Sequence, residues 1–499
     1  MDTATSVEGK QPTTKPTRAL GQIILRNALA VFTGGLAIRG LNFLFTIFMI
    51  RLLGEVGLGQ FAVVTAFVGL FGVFFELGLA QYVERSVAQD RARTQALFWN
   101  LVALRLILAV LGVAIITGLA VVWGHEPEIV FGISLFSLTF ILAAVLMPLM
   151  TVLSANERFD LVTLGQVINQ IVSIVVGAIF LLMGMGFLAL VYAGFVAMPL
   201  QIIMCIWAIR RYRLGPLPFQ VTPSTWGDFI RASLPFGLTS LALTFNFNAD
   251  TVILEMFRDA SEVGWYNASY RLVFTLVNVA GAFLTVMTPS IAREYVKDPA
   301  HVRAWTRSSI RAMALPALPI AVGASLLSTP IVILLYGESF APAGEVLAII
   351  CWDIPLLLFT AFCGNVAAAV GLERPASRIY IVSTVLNIVL NLLFIPFFGK
   401  IAAAVITLVT DGLTMVLFYL LLRHHMELAE LTPVLLRTAL AAILMGVVVW
   451  AVQALGLPVP VVIAIGAATY AILALVLRLV DISVVLQALR RFRPHSREA

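Results

Sequence analysis

The chain is a succession of apolar runs, at about 28–50, 58–79, 97–122, 129–153, 161–184, 187–209, 229–257, 264–291, 309–334, 344–370, 378–397, 402–422, 434–455 and 458–480. Each approaches or exceeds the roughly 20 residues that a helix needs to cross the hydrocarbon core of a bilayer. A segment alone in lipid must satisfy its own backbone N–H and C=O groups, so every run is expected to be helical. Composition agrees. The chain is 61% hydrophobic and 12% charged, whereas soluble domains are roughly 45–50% apolar and 25% charged. The fold class expected is therefore all-α, a polytopic membrane protein of about 14 transmembrane helices.

The placement of basic residues tests this map, because cytoplasmic loops of membrane proteins carry an excess of Lys and Arg. With the N-terminus in the cytoplasm, 23 of the 32 Lys and Arg residues fall on the cytoplasmic side. Only Arg51, Arg258 and Lys400 fall opposite. One missed or extra helix would scramble that alternation. The net charge of +6 is thus explained by topology, and no nucleic-acid partner is expected. Both termini are expected in the cytoplasm. The run behind the polar first 26 residues is too long for a secretory signal and has no small-residue cleavage site, so it reads as retained.

The two halves echo each other. Glu55-Val-Gly57 follows the first run and Glu262-Val-Gly264 the seventh. Glu157-Arg158 with Asn169 beyond it matches Glu373-Arg374 with Asn387 beyond it. Six helices per repeat is an even number, so both repeats face the same way, the parallel arrangement of some transporters. The domains expected are a tail over 1–27, a first lobe over 28–213, a linker over 214–228 and a second lobe over 229–425. Two further helices over 426–480 and a tail over 481–499 complete the chain.

Enzyme chemistry is not in view. There is no zinc-type histidine spacing, GxSxG elbow, Walker A loop or GxGxxG turn, and no loop is long enough for a catalytic domain. No cofactor or metal is expected. Cys205, Cys351 and Cys363 lie inside apolar runs without a CxxC pair and read as small buried hydrophobes.

The informative residues are charges within the runs. Arg39 lies near the centre of the first, where a charge costs at least about 2.5–3.5 kcal/mol and calls for a partner, a wet cavity or a function. Asp250 and Arg271 lie about seven residues below the outer ends of the seventh and eighth runs, about 10 Å deep at 1.5 Å per residue. Their shared depth allows an ion pair or a cavity wall. Asn246 and Asp250 share a helix face, as do Asn267 and Arg271. Asn42 lies close to Arg39. Glu76 and Arg105, near the cytoplasmic end, read as structural. Asp353 and Asp411 lie deeper and are candidates for a coupling ion. Asn387 and Asn391 read as hydrogen-bonding between helices.

Several stretches resemble bacterial polysaccharide flippases of the Wzx type, in the superfamily that also holds the lipid II flippase MurJ and the MATE exporters. They are Arg51-Leu-Leu-Gly-Glu-Val-Gly-Leu-Gly-Gln-Phe, Phe75-Glu-Leu-Gly-Leu-Ala80, Val83-Glu-Arg85, Leu234-Pro-Phe-Gly237, Asp250-Thr-Val-Ile-Leu254, Val263-Gly-Trp-Tyr266, Leu335-Tyr-Gly337, Asn387-Ile-Val-Leu-Asn391, Ile395-Pro396 and Phe398-Gly399. Lys400-Ile-Ala-Ala-Ala404 departs from the usual Gly-Ala-Ala run. The resemblance covers about 28–425. It implies two six-helix lobes around a central cavity, rocking by alternating access. It implies carriage of an undecaprenyl-diphosphate-linked oligosaccharide from the inner to the outer leaflet of the plasma membrane, for cell-surface polysaccharide assembly. The implied partners are the lipid-linked glycan, membrane lipids, and the glycan polymerase and glycosyltransferases of the same pathway. Arg39 and Arg271 stand on the helices that usually supply cavity cations, so Arg39, Arg271, Asn42, Asn246, Asp250 and Asn267 are the expected substrate-binding residues. The alternative is a MATE-like, cation-coupled exporter of small organic molecules, for which Asp353 or Asp411 would be the carboxylate.

Overall fold

The computed structural model describes residues 17–79, 82–83, 86, 93–214, 220–277, 299–423 and 432–479. The chain divides into two compact units, Met1–Leu44 and Phe45–Ala499. Among the described residues all regular structure is helical. In order these helices are α1 (Thr17–Glu76), α2 (Arg93–Trp123), α3 (Pro127–Ser137), α4 (Thr139–Ala155), α5 (Phe159–Leu182), α6 (Leu188–Arg211) and α7 (Trp226–Phe257). Then come α8 (260–277), α9 (Pro299–Leu326), α10 (Ser328–Tyr336), α11 (Ala343–Ile350), α12 (Asp353–Ala369), α13 (Glu373–Leu422), α14 (Thr432–Gln453) and α15 (Val459–Val476).

Every predicted run falls mainly on helix over its described part, with short turns at a few internal or end positions such as Leu138 and Leu327. The two-residue gaps between the runs 161–184 and 187–209 and between 434–455 and 458–480 are real breaks. α5 and α6 part at 183–187, and α14 and α15 part at 454–458, where Pro458 precedes the new helix. Fourteen separate crossings are not what length and apolarity pick out. Among the described residues nine helices qualify, or ten if α11 and α12 are one bent span. The difference is instructive. The predicted turn between the first two runs contains a single non-helical residue, Gly54 (φ 67°, ψ −178°), and that between 378–397 and 402–422 contains Gly399 (φ 54°, ψ −134°). Both positions lie in the left-handed half of backbone space that glycine enters without steric cost.

Prolines account for two of the breaks inside runs, and the third, at Leu138 between α3 and α4, has no proline beside it. Pro330 has no N–H for the carbonyl of Leu326, and α9 ends at Leu326. Pro355 has none for Cys351, and there α11 and α12 bend by 43°. Each proline removes one i to i−4 bond at the observed break. Pro148, Pro199, Pro316, Pro319 and Pro396 are instead carried within helices.

The helices pack pairwise, α5 on α6, α7 on α13, α12 on α13, and α14 on both α9 and α15. One buried cluster joins Phe98, Val152, Leu153 and Cys205. Another joins Phe362, Cys363, Val366 and Phe418. All three cysteines are free and buried, as expected of small hydrophobes. The opposite faces stay apolar and open. Val122, Leu182, Phe397, Trp450 and Val476 are among the exposed large side chains. Continuous exposed apolar surface of this kind belongs in lipid, so the chain is a multi-pass membrane protein. Glu76 and Arg105 pair at 3.4 Å, the structural role their position suggested. Glu84 and Arg85 of the Val83-Glu-Arg85 stretch, the remainder of the run 264–291 and the tail 481–499 lie outside the described residues.

Small residues set the closest approach between the first and second halves. A side-chain carbon on Gly59 would strike the backbone of Ala260, and one on Gly264 the backbone of Glu55. Gly78 and Gly237 meet in the same way. The second section of α1 therefore runs antiparallel to α7, with Gly69 beside Asn248 between these two points.

Candidate functional site

Two polar constellations interrupt the apolar packing. The first surrounds Asp250 on α7, which is 3% exposed. Its Oδ2 accepts hydrogen bonds from the hydroxyls of Tyr266 (2.9 Å) and Thr407 (2.8 Å), and its Oδ1 accepts one from the Asn391 amide (2.6 Å). Asn391 also donates to Asn387 Oδ1 (2.9 Å), and Asn387 donates to Thr410 Oγ1 (3.2 Å). Asn391 Oδ1 is buried without a donor. A buried carboxylate held only by neutral donors keeps its charge uncompensated, which is costly away from water.

Of the two arrangements that their shared depth allows, the ion pair between Asp250 and Arg271 does not form. Every oxygen of Asp250 is turned toward α8 and α13 donors, and Arg271 points toward α1, where its guanidinium lies 5.3 Å from the centre of the Phe61 ring. Equal depth on consecutive helices did not mean a shared face.

Asp353 and Asp411 face each other within hydrogen-bonding reach in the same region. Asp353 is fully buried and neither of its oxygens finds a donor. Asn246 and Asp250 lie near enough to Asp411 to act on it electrostatically, and Asp250 adds its field to Asp353. Two facing carboxylates repel unless a proton or cation lies between them. Asp353 also opens α12, just past the bend, where the helix dipole favours negative charge.

The second constellation is a cavity of about 280 Å³ lined by Thr46, Phe247, Tyr270, Arg271, Phe274 and Thr275. Arg271 is its charged wall, and among the described residues no carboxylate pairs with it. Of the expected substrate residues in the larger unit, the cavity gathers Arg271 alone. Asn246 lies in the region of Asp411 and outside the cavity lining, and Asn267 ties its own helix to Thr251 at 3.2 Å. Arg39 and Asn42 belong to the first unit, where Arg39 is half-buried. Tyr266, Tyr270, Phe274 and Thr407 carry the site with no charge to advertise them. The spacing 266, 270, 274 is a helix face and was the signal available. Among the described residues no three His, Cys, Asp or Glu side chains are placed to hold a metal ion.

A multi-pass helical carrier with a cation-walled cavity and a buried acid network is the class these features define. Comparison with known proteins fits it. A sequence model of the family described as "polysaccharide biosynthesis protein" matches residues 24–294, and one for the MatE family matches 235–393. The first spans more than half of the chain, which therefore belongs to the polysaccharide biosynthesis protein family. The probable low-salt glycan biosynthesis flippase Agl15 of Haloferax volcanii is 22% identical over 400 residues, 79% of this chain and 82% of that protein. The fold is similar to that of the lipid II flippase MurJ in an inward closed conformation (TM-score 0.68, 16% identity, covering 87% of this chain and 99% of that one). It is also similar to an inward-facing multidrug resistance MATE family transporter of the MOP superfamily (TM-score 0.64, 16% identity, 77% and 94%).

Proposed function

We propose that this protein flips a polyprenyl-diphosphate-linked oligosaccharide from the inner to the outer leaflet of the plasma membrane by alternating access, with no chemistry performed on the substrate. The observation that carries the reading is Arg271, a guanidinium without a carboxylate partner among the described residues, on the wall of a cavity between apolar helices. A diphosphate cannot cross hydrocarbon bare, because stripping water from a charge costs tens of kcal/mol in the Born limit. Arginine replaces that water well, since its planar donors grip phosphate oxygens bidentately and stay charged. The family membership and the flippase relative support the same reading. Arg39 and Asn42 enter as phosphate and sugar ligands on the sequence argument alone.

The remaining predicted residues take a second role in this proposal. Asp353 and Asp411, with Asp250 and Asn246 beside them, hold the coupling proton or cation, and Asn267 keeps α8 in register with α7. The two lobes, 28–213 and 229–425, rock about the glycine contacts between α1 and the helices α7 and α8. Both termini face the cytoplasm, and the polymerase and glycosyltransferases of the pathway act on the same lipid.

The MatE match favours one alternative, export of a small organic cation. The cavity wall argues against it, because Arg271 repels such a ligand. The test is surface-glycan export by cells relying on variants of this protein. Arg271→Ala should abolish export while the protein remains inserted in the membrane, and Arg271→Lys should restore part of it. Full export by Arg271→Ala would refute the assignment.

A further inference from the structure

Away from the cavity, two polar links tie the first half of the chain to the second. One starts from the turn between α2 and α3, where Nδ1 of His125 lies 3.0 Å from Oε1 of Glu255 on α7. The His125 side chain is only 2% exposed, although it comes from a connecting turn. It is fixed to α1 on its own side. The Phe67 ring meets it edge-on at 5.1 Å, and the nearby Trp123 ring packs against Phe67 and Phe71. The other link is Arg51 of α1. Its Nε donates to the Leu335 carbonyl (2.7 Å) and its Nη2 to that of Leu334 (2.5 Å). These are among the last carbonyls of α10, which have no partner inside the helix. A guanidinium there also meets the negative end of the helix dipole.

Both links lie at one end of the molecule. Glu255 is near the end of α7 and Arg51 just before the Gly54 break. At the same end Gly59 meets Ala260 and Gly264 meets Glu55. In the orientation proposed above this is the outer end. The polar tie at the opposite end is of another kind. Asn100 of α2 accepts from the Thr222 N–H (2.6 Å) and the Trp226 indole (3.1 Å), and so grips the linker where it enters α7.

A rocking motion that opens the outer side must part whatever joins the halves there. Both links suit a joint that opens, because water replaces each hydrogen bond as it breaks and the net loss is modest. The His125 link also opposes its own closure. Its Nε2 is buried without a partner, an unfavourable state that hydration relieves once the halves part.

We propose that His125 with Glu255, and Arg51 with the end of α10, are latches that hold the outer side of the carrier closed, and that their release opens the Arg271 cavity toward the outer leaflet. This rests on the alternating-access part of the reading above and adds to it the residues that set the balance between its two states.

The test reads sidedness. In the full-length protein a reporter cysteine, Thr46→Cys in the cavity lining, is labelled with a membrane-impermeant maleimide, from outside in spheroplasts and from inside in inverted vesicles. No substrate is needed. His125→Ala, Glu255→Ala and Arg51→Ala should each speed outer labelling about tenfold, the population shift of one charged hydrogen bond, and should not speed inner labelling. Replacing His125 and Glu255 together should do no more than replacing either. Arg51→Ala added to His125→Ala should multiply the two effects, since separate links add in free energy. Glu255→Gln keeps the volume and a neutral hydrogen bond. It should shift labelling the same way but less, which covers the case in which the alanine variants do not fold. Unchanged outer labelling, or a rise from both sides alike, would overturn the latches, the latter marking residues that only stabilise the fold. The expected shift beside a wild type that moves no lipid-linked glycan would instead overturn the flippase reading and leave the latches in place.

Discussion

Asp250 and Arg271 show how charge in an apolar run is to be read residue by residue. Both were visible in the sequence, because a charge in such a run is expensive enough to need a reason. Their partners were not. Thr407 sits in the run 402–422 with nothing to mark it, yet its hydroxyl lies 2.8 Å from Asp250. Asn387 and Asn391 were legible as a polar pair one turn apart, and they do hydrogen-bond to each other at 2.9 Å. That their target is α7 depended on a helix crossing that no local pattern encodes. Removing one donor measures what the network contributes. Thr407→Val keeps the shape and deletes the hydroxyl, and should destabilise the protein by about 1–2 kcal/mol. Thermal unfolding in detergent should show a lower midpoint, and an unchanged midpoint would remove Thr407 from the network.

Among the elements, the length of the apolar runs placed nearly every helix, and most of the breaks followed proline and glycine chemistry. Pro330 and Pro355 end or bend their helices, but Pro148 and Pro199 do not. A proline's N–H is lost in every case, and the neighbours that restore the freed carbonyl decide whether the helix continues. Gly59 and Gly264 were legible only as parts of short motifs. Their role comes from the close approach of α1 to the start of α8, where no side-chain carbon fits. Gly59→Val or Gly264→Val should force the helices apart, at a cost of about 1–3 kcal/mol for overpacking. Gly118 on α2 has nothing within 4 Å of the same position, so Gly118→Val should match wild type. Melting of the three variants side by side checks this, and equal midpoints would contradict the close packing.

For the whole molecule, the run of apolar segments and the sidedness of Lys and Arg made a multi-pass helical protein readable from the sequence, and the fold shared with MurJ and a MATE transporter agrees. The cavity was less readable, because aromatic residues in an apolar helix look alike whether they face lipid, a neighbour or a ligand. Phe247, Phe274 and Tyr270 became informative only beside Arg271. The buried carboxyls make the further claim that movement is coupled to an ion. In proteoliposomes, an imposed proton or sodium gradient should accelerate flipping by the wild type, and Asp411→Asn should flip at a rate indifferent to it. The central claim is tested most directly by the flipping itself, followed with a fluorescent polyprenyl-diphosphate-linked sugar whose outer-leaflet fraction is read by chemical quenching. Wild-type protein should equilibrate the probe across the bilayer, and Arg271→Ala should leave it where it was placed. Equal movement by the two proteins, or none by either while a cationic dye is transported, would contradict the account.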